Sequence, residues 1–194
     1  MQIPTELHPL KPFLPENARL LMLGSFPPKK DKWSMDFYYP NYINDMWRIF
    51  GLVYFSDKEH FIVAGEKRFD KERIIEFLLK RGIALSDTAS EVRRLQDNAS
   101  DKFLEVVTPA DLGGMLSQLP QCRAIAVTGQ KAVDTIVSII GASEPKVGGY
   151  SEFVFGERKM RLYRMPSSSR AYPLSLEKKA AAYKTLLEED YIFS

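Results

Sequence analysis

Residues 20–28 read LLMLGSFPP, and the fold is decided there. The apolar run is too short for a stable helix and ends on Gly24, which suits a strand buried on both faces of a parallel sheet. Pro27 and Pro28 then turn the chain sharply out of the sheet, since proline cannot donate to a ladder. The stretch 25–42 (SFPPKKDKWSMDFYYPNY) has no apolar period and forms a loop longer than most connections. Downstream, INDMWRIF at 43–50 predicts a short helix closed by Gly51, and EKRFDKERIIEFLLKR at 66–81 a second one stopped by Gly82. Ile83–Leu85 predicts the second strand. The polar tract 86–108 reads as another long loop, and Asp111 to Leu119 as a short helix. Arg123–Val127 predicts a third buried strand, after which Gly129 opens a helix running through Ile140. Gly148 and Gly149 mark a turn, and 152–155 with 159–165 a hairpin around Gly156-Glu157. Ser175 caps a last helix whose Leu176, Ala180, Tyr183 and Leu187 share one face.

Strands alternating with helices predict an α/β fold with an open, mainly parallel sheet covered on both sides. Ligands of such sheets bind beyond the carboxyl ends of the strands. That rule points to loops 25–42, 86–108 and 166–174, together with Gly129 and Gln130. Upstream, Pro4, Pro9, Pro12 and Pro15 exclude a helix over residues 1–18, which read as an extended arm lying on one domain of residues 19–194.

Composition removes several function classes. The 194 residues carry 27 Lys+Arg against 25 Asp+Glu, a net charge of +2 that is too mild to identify a partner. A single cysteine, Cys122, excludes an internal disulfide and reads as buried and inert. Only His8 and His60 supply imidazole, which leaves metal centres and Ser-His-Asp chemistry poorly supplied; both read as surface residues. No apolar run approaches a bilayer span and the N-terminal residues lack a signal-peptide pattern, so the expectation is a cytoplasmic protein without membrane contact, taken as a monomer.

Three loops carry candidate chemistry. The first presents Lys29, Lys30 and Lys32 beside Trp33, Phe37, Tyr38 and Tyr39, and cations with exposed rings suit phosphates and extruded bases. A solvated lysine turn with rings tucked on the core fits the same residues. The second, Pro166-Ser167-Ser168-Ser169-Arg170, follows a strand and offers small hydroxyl residues and a guanidinium to phosphate, or is a serine-rich turn. In the third, Ser86-Asp87-Thr88 lies at a strand end, where Asp87 either orients a water or caps a turn. Asn44 either caps the helix that follows or donates to a ligand.

Taken in order, LLMLGSFPP (20–28), FYYPNYINDMWRIFG (37–51), GIALSDTA (82–89), AIAVTGQKA (124–132) and MPSSSRAYPLSLEKKAAAY (165–183) resemble the uracil-DNA glycosylase superfamily. The branch of the hypoxanthine-DNA glycosylases is the most similar, with the mismatch-specific uracil glycosylases further off. The resemblance implies a three-layer α/β/α fold around a four-stranded parallel sheet. It implies an enzyme that flips a deaminated base from DNA and hydrolyses its N-glycosidic bond without metal or cofactor, working on the nucleoid. Gly24, Ser25, Phe26, Tyr38, Tyr39 and Asn44 would form the base pocket. Lys29, Lys30, Lys32 and Pro166–Arg170 would hold the DNA. Asp87 would position the water, with Asn98 and Asp101 as alternatives. Many members carry Asp or Asn in the first loop where this chain has Phe26, and His or Asn where it has Met165. The hypoxanthine branch has a Trp before the aspartate where Ser86 stands. The missing first-loop carboxylate at Phe26 implies slower chemistry or a purine such as hypoxanthine over uracil, while Ser86 departs from the hypoxanthine branch's own pattern. A catalytically inert nucleic-acid-binding module on the same fold is the competing reading, and a nucleoside hydrolase a further one.

Overall fold

The computed structural model describes residues 3–96 and 101–194. Strands β2 (Leu20–Gly24), β3 (Ile83–Asp87), β6 (Ala124–Thr128), β7 (Tyr150–Phe155) and β8 (Arg158–Met165) build one sheet in the order β3-β2-β6-β8-β7. The first four are mutually parallel, while β7 adds an antiparallel edge through its hairpin with β8. The expected four-stranded parallel sheet is therefore present, extended to five strands by the hairpin. β2, β3 and β6 are buried along their whole length, as apolar strands covered on both faces must be.

Side-chain alternation divides the interior into two layers. Leu20, Met22, Ile83, Leu85, Ala124 and Ala126 face a core closed by α1 (Met46–Phe55), α2 (Lys71–Arg81), α5 (Leu176–Leu187) and α6 (Asp190–Phe193). Leu21, Leu23, Ala84, Ile125 and Val127 face the other, closed by α3 (Leu112–Ser117) and α4 (Gln130–Ile140). This is the three-layer α/β/α arrangement. Asp70 caps α2 by accepting from the Arg73 N–H, and Gly82 ends it at φ 68°. Ser175 caps α5 through the Lys178 N–H.

Two expectations are corrected. Gly51 does not close α1, which continues to Phe55 and ends on a left-handed Ser56. A Cβ at Gly51 would lie 2.3 Å from the Asp57 carbonyl oxygen, so this glycine marks a close backbone approach in mid-helix. The tract 86–108 is not one long loop. It contains β4 (Ala89–Arg94) and β5 (Leu104–Pro109), which pair antiparallel and take β1 (Thr5–Leu7) as a third strand, order β1-β4-β5. Register shifts around Glu91 bury Ala89 and Val92, three apart rather than two, and a bulge of this kind hides the two-residue period from the sequence. The arm is correspondingly sewn down: β1 pairs with β4, and Phe13 exchanges both backbone hydrogen bonds with Leu85 at the edge of the main sheet.

Candidate active site

The chain runs from β2 to β3 on one side and later to β6 on the other, so the winding direction reverses at β2. The crevice at the carboxyl ends of β2 and β6 is the switch point at which ligands of such sheets bind. Gly24 ends β2, Asp87 ends β3 and Thr128 ends β6. Tyr39, from the first long loop, lies across this edge with its hydroxyl 3.4 Å from Thr128 Oγ1. Its backbone adopts a left-handed φ of 51°, an uncommon conformation for a residue with a bulky side chain. A Cβ built on Gly24 would stand 2.6 Å from Asp87 Oδ1 and 3.5 Å from the Tyr39 hydroxyl. Glycine is required by this close approach, and the carboxylate lies directly over the end of β2.

The other Asp87 oxygen is occupied. Oδ2 lies 2.6 Å from His8 Nε2, and the two side chains are only 8% and 11% exposed. His8 is thus not a surface residue, as the sequence suggested, but the tip of the arm inserted at the strand ends. The Phe26 ring meets it edge-on at 5.0 Å and Tyr38 stacks behind it at 6.1 Å. Nothing local marked His8, because its partner is 79 residues away. His60 instead stacks on Phe55.

Asp101 joins from the start of β5's approach. Its carboxyl hydrogen-bonds with Ser25 and sits above its ordinary pKa, chiefly through burial, with the Asp87 charge adding to the shift. Its Oδ2 reaches 3.5 Å from a Cβ built on Gly129. Burial, reinforced by Asp87, also raises the phenols of Tyr38 and Tyr39, so both remain neutral. Tyr38 is buried and donates to the Lys11 carbonyl. Tyr39 beside it is half-buried at the strand ends. The Phe26 ring is likewise buried, against Ala89, Val92 and Leu104. Asn98 lies outside the described residues. Cys122 is buried with its thiol pushed up to about 12, an inert core residue.

Asn44 acts as a cap, its side-chain oxygen accepting from the Met46 N–H at 2.9 Å. Its neighbour Asp45 was not foreseen. Asp45 takes Lys179 Nζ at 3.0 Å and Arg170 Nη2 at 3.3 Å, and its N–H donates to the Ser168 carbonyl. Lys179, 1% exposed, donates also to the Ser169 carbonyl, and Tyr183 donates to that of Pro166. The Pro166–Arg170 loop is thereby tied to α1 and α5 from beneath. A lysine on the buried face of α5, beside Ala180, was the sequence signal for a buried pair. On the first loop, Lys30 lies 5.4 Å over the Trp33 ring, and the indole donates to the Pro28 carbonyl. Lys29, Lys30 and Lys32 are exposed.

A solved structure shares this fold. The solution structure of a "putative Uracil DNA glycosylase" from Methanosarcina acetivorans superposes with a TM-score of 0.58 at 22% identity, over 92% of this chain and 98% of that one. The fold is uracil-DNA glycosylase-like. Neither a protein-family model nor a curated protein matches the sequence. Among the described residues, no helix is long and apolar enough to cross a membrane, and no three His, Cys, Asp or Glu side chains are grouped as metal ligands.

Proposed function

We propose that this protein is a monofunctional DNA glycosylase that hydrolyses the N-glycosidic bond of a deaminated base flipped out of DNA. The observation that carries this reading is Asp87: a buried carboxylate whose Oδ1 lies over Gly24, beside a neutral tyrosine, at the switch point of a uracil-DNA glycosylase-like fold. N-glycoside hydrolysis builds positive charge on the sugar and negative charge on the departing base. A carboxylate beside C1′ favours the former and accepts a hydrogen bond from the attacking water. In the reaction the water oxygen bonds to C1′, the C1′–N bond breaks with its electrons going to the base, and the water proton passes to Asp87.

Tyr39 stacks on the extruded base, and the turn at Ser25-Phe26 lines it. Asp101, held by Ser25, is the alternative water-positioning group. Lys29, Lys30 and Lys32 bind phosphates from one side, and Pro166–Arg170 from the other. Extrusion costs a few kcal/mol and is easiest at a mismatched pair, which favours lesions such as hypoxanthine or uracil over normal pairs. Phe26 in place of a first-loop carboxylate or amide favours hypoxanthine.

Duplexes bearing hypoxanthine, uracil or xanthine, incubated with excess protein and treated with alkali, test the reading. Strand cleavage at the lesion is expected, with Asp87→Asn slowing it at least tenfold. Salt-sensitive binding with no abasic product from any duplex would overturn the glycosylase and leave the inert binding module.

A further inference from the structure

We infer that the N-terminal arm contributes a positioning residue to the site: His8 holds Asp87 Oδ2 and so leaves Oδ1 as the oxygen that meets water and substrate. The two oxygens of this carboxylate are not equivalent. Oδ2 sits 2.6 Å from His8 Nε2, while Oδ1 lies over the end of β2, 2.6 Å from a Cβ built on Gly24. A carboxylate with no such clamp rotates freely about its last bond and presents either oxygen.

The arm also provides for both charge states of the ring. His8 Nδ1 lies 2.9 Å from the Leu10 carbonyl oxygen and 3.1 Å from the Leu10 amide nitrogen. In the neutral ring Nδ1 accepts from the Leu10 N–H. In the charged ring Nδ1–H donates to the Leu10 carbonyl. Nε2–H points at Asp87 in both, so the clamp persists without the ring turning. The arm is fixed so that this geometry holds. The His8 N–H donates to the Ser90 carbonyl at 2.8 Å, and Arg94 on β4 grips both Glu6 oxygens at 3.0 Å while donating to the Pro27 carbonyl at 2.7 Å. Arg94 thus joins β1, β4 and the first loop.

The inference deepens the glycosylase reading and rests on it for its rate measurement. A glutamine at position 8 keeps a donor toward Oδ2 without the ring, so the rate it supports separates the clamp from a merely structural contact.

Single-turnover excision at neutral pH by the full chain, by His8→Ala and by His8→Gln tests this, with thermal unfolding of each variant. His8→Ala is expected to lose about tenfold in rate, the equivalent of one hydrogen bond. His8→Gln keeps a donor where Nε2 stood and is expected to recover most of that rate. Wild-type rates in both variants would overturn the inference, as would a His8→Gln that folds normally without recovering rate. If the wild-type chain excises nothing, the glycosylase reading fails by itself. The clamp is then read from the NMR signal of the His8 ring N–H, with His60→Gln assigning the second of only two imidazoles. A His8 ring signal unchanged by Asp87→Asn would overturn it.

Discussion

Gly24→Ala isolates the geometry on which the site depends. Gly24 does not have a positive φ, so alanine suits its backbone and the added methyl acts through space alone. That methyl would lie 2.6 Å from Asp87 Oδ1, and real Cβ contacts under 3.0 Å are essentially never seen. The oxygen must therefore withdraw by 3.0 − 2.6, or 0.4 Å, at the least. Asp87 has little freedom to comply, because its backbone is registered against Gly24 across β2 and β3 and its Oδ2 is held by His8. Rotating the carboxylate sacrifices the His8 bond, and hydrogen bonds to charged groups contribute about 1.5–3 kcal/mol. If that bond orients Oδ1 in the transition state, the rate falls roughly 10- to 150-fold. Stability falls by a similar energy, and the melting temperature by about 2–4 °C per kcal/mol. Single-turnover excision and calorimetry read the two effects. Gly113→Ala is the control: in α3 its Cβ meets only Asp111 Oδ1, at 3.8 Å, so a gain of up to about 1 kcal/mol from helix propensity is expected. A Gly24→Ala protein with unchanged rate and melting temperature would refute the placement of Oδ1.

Further expectations concern the frame around the site. Lys179→Met leaves buried Asp45 with only the half-exposed Arg170 for a cation, and urea unfolding should show a loss of about 3–5 kcal/mol. Asp101→Asn should stabilise the protein at neutral pH. The Asp101 carboxyl titrates above 3.8 in the folded state, so its favourable contribution is present in acid and lost as pH rises through the folded value. Melting curves should thus show the gain growing as pH rises toward neutral and none in acid; a gain of equal size in acid would contradict the assignment. Lys30→Ala with Lys32→Ala should reduce the salt slope of duplex binding by about one per lysine, read by fluorescence anisotropy. Equal slopes would remove the lysine turn from the DNA face.

The buried strands, the capped helices and the β7–β8 hairpin were legible in the sequence because each is specified within a dozen neighbouring residues. Gly82 and Ser175 fall at the helix ends that their chemistry predicts, and LLMLG lies mid-sheet, between two parallel partners. The place of Asp87 at a strand end was legible as well, because the turn after GIALSD marks it. The β4–β5 hairpin escaped because a bulge breaks its period. Gly51 read as a stop because the sequence does not disclose that Asp57 folds back against mid-helix.

The sequence by itself determined the layers, the strand ends and the loops that surround them, since hydrophobic period, caps and turns are local properties. Only the tertiary structure decided what meets at those ends. His8 reaches Asp87 across 79 residues and Lys179 reaches Asp45 across 134. Such pairings leave no periodic trace. A polar residue in a proline-rich arm reads the same whether it faces water or a buried carboxylate, until the folded chain removes the water.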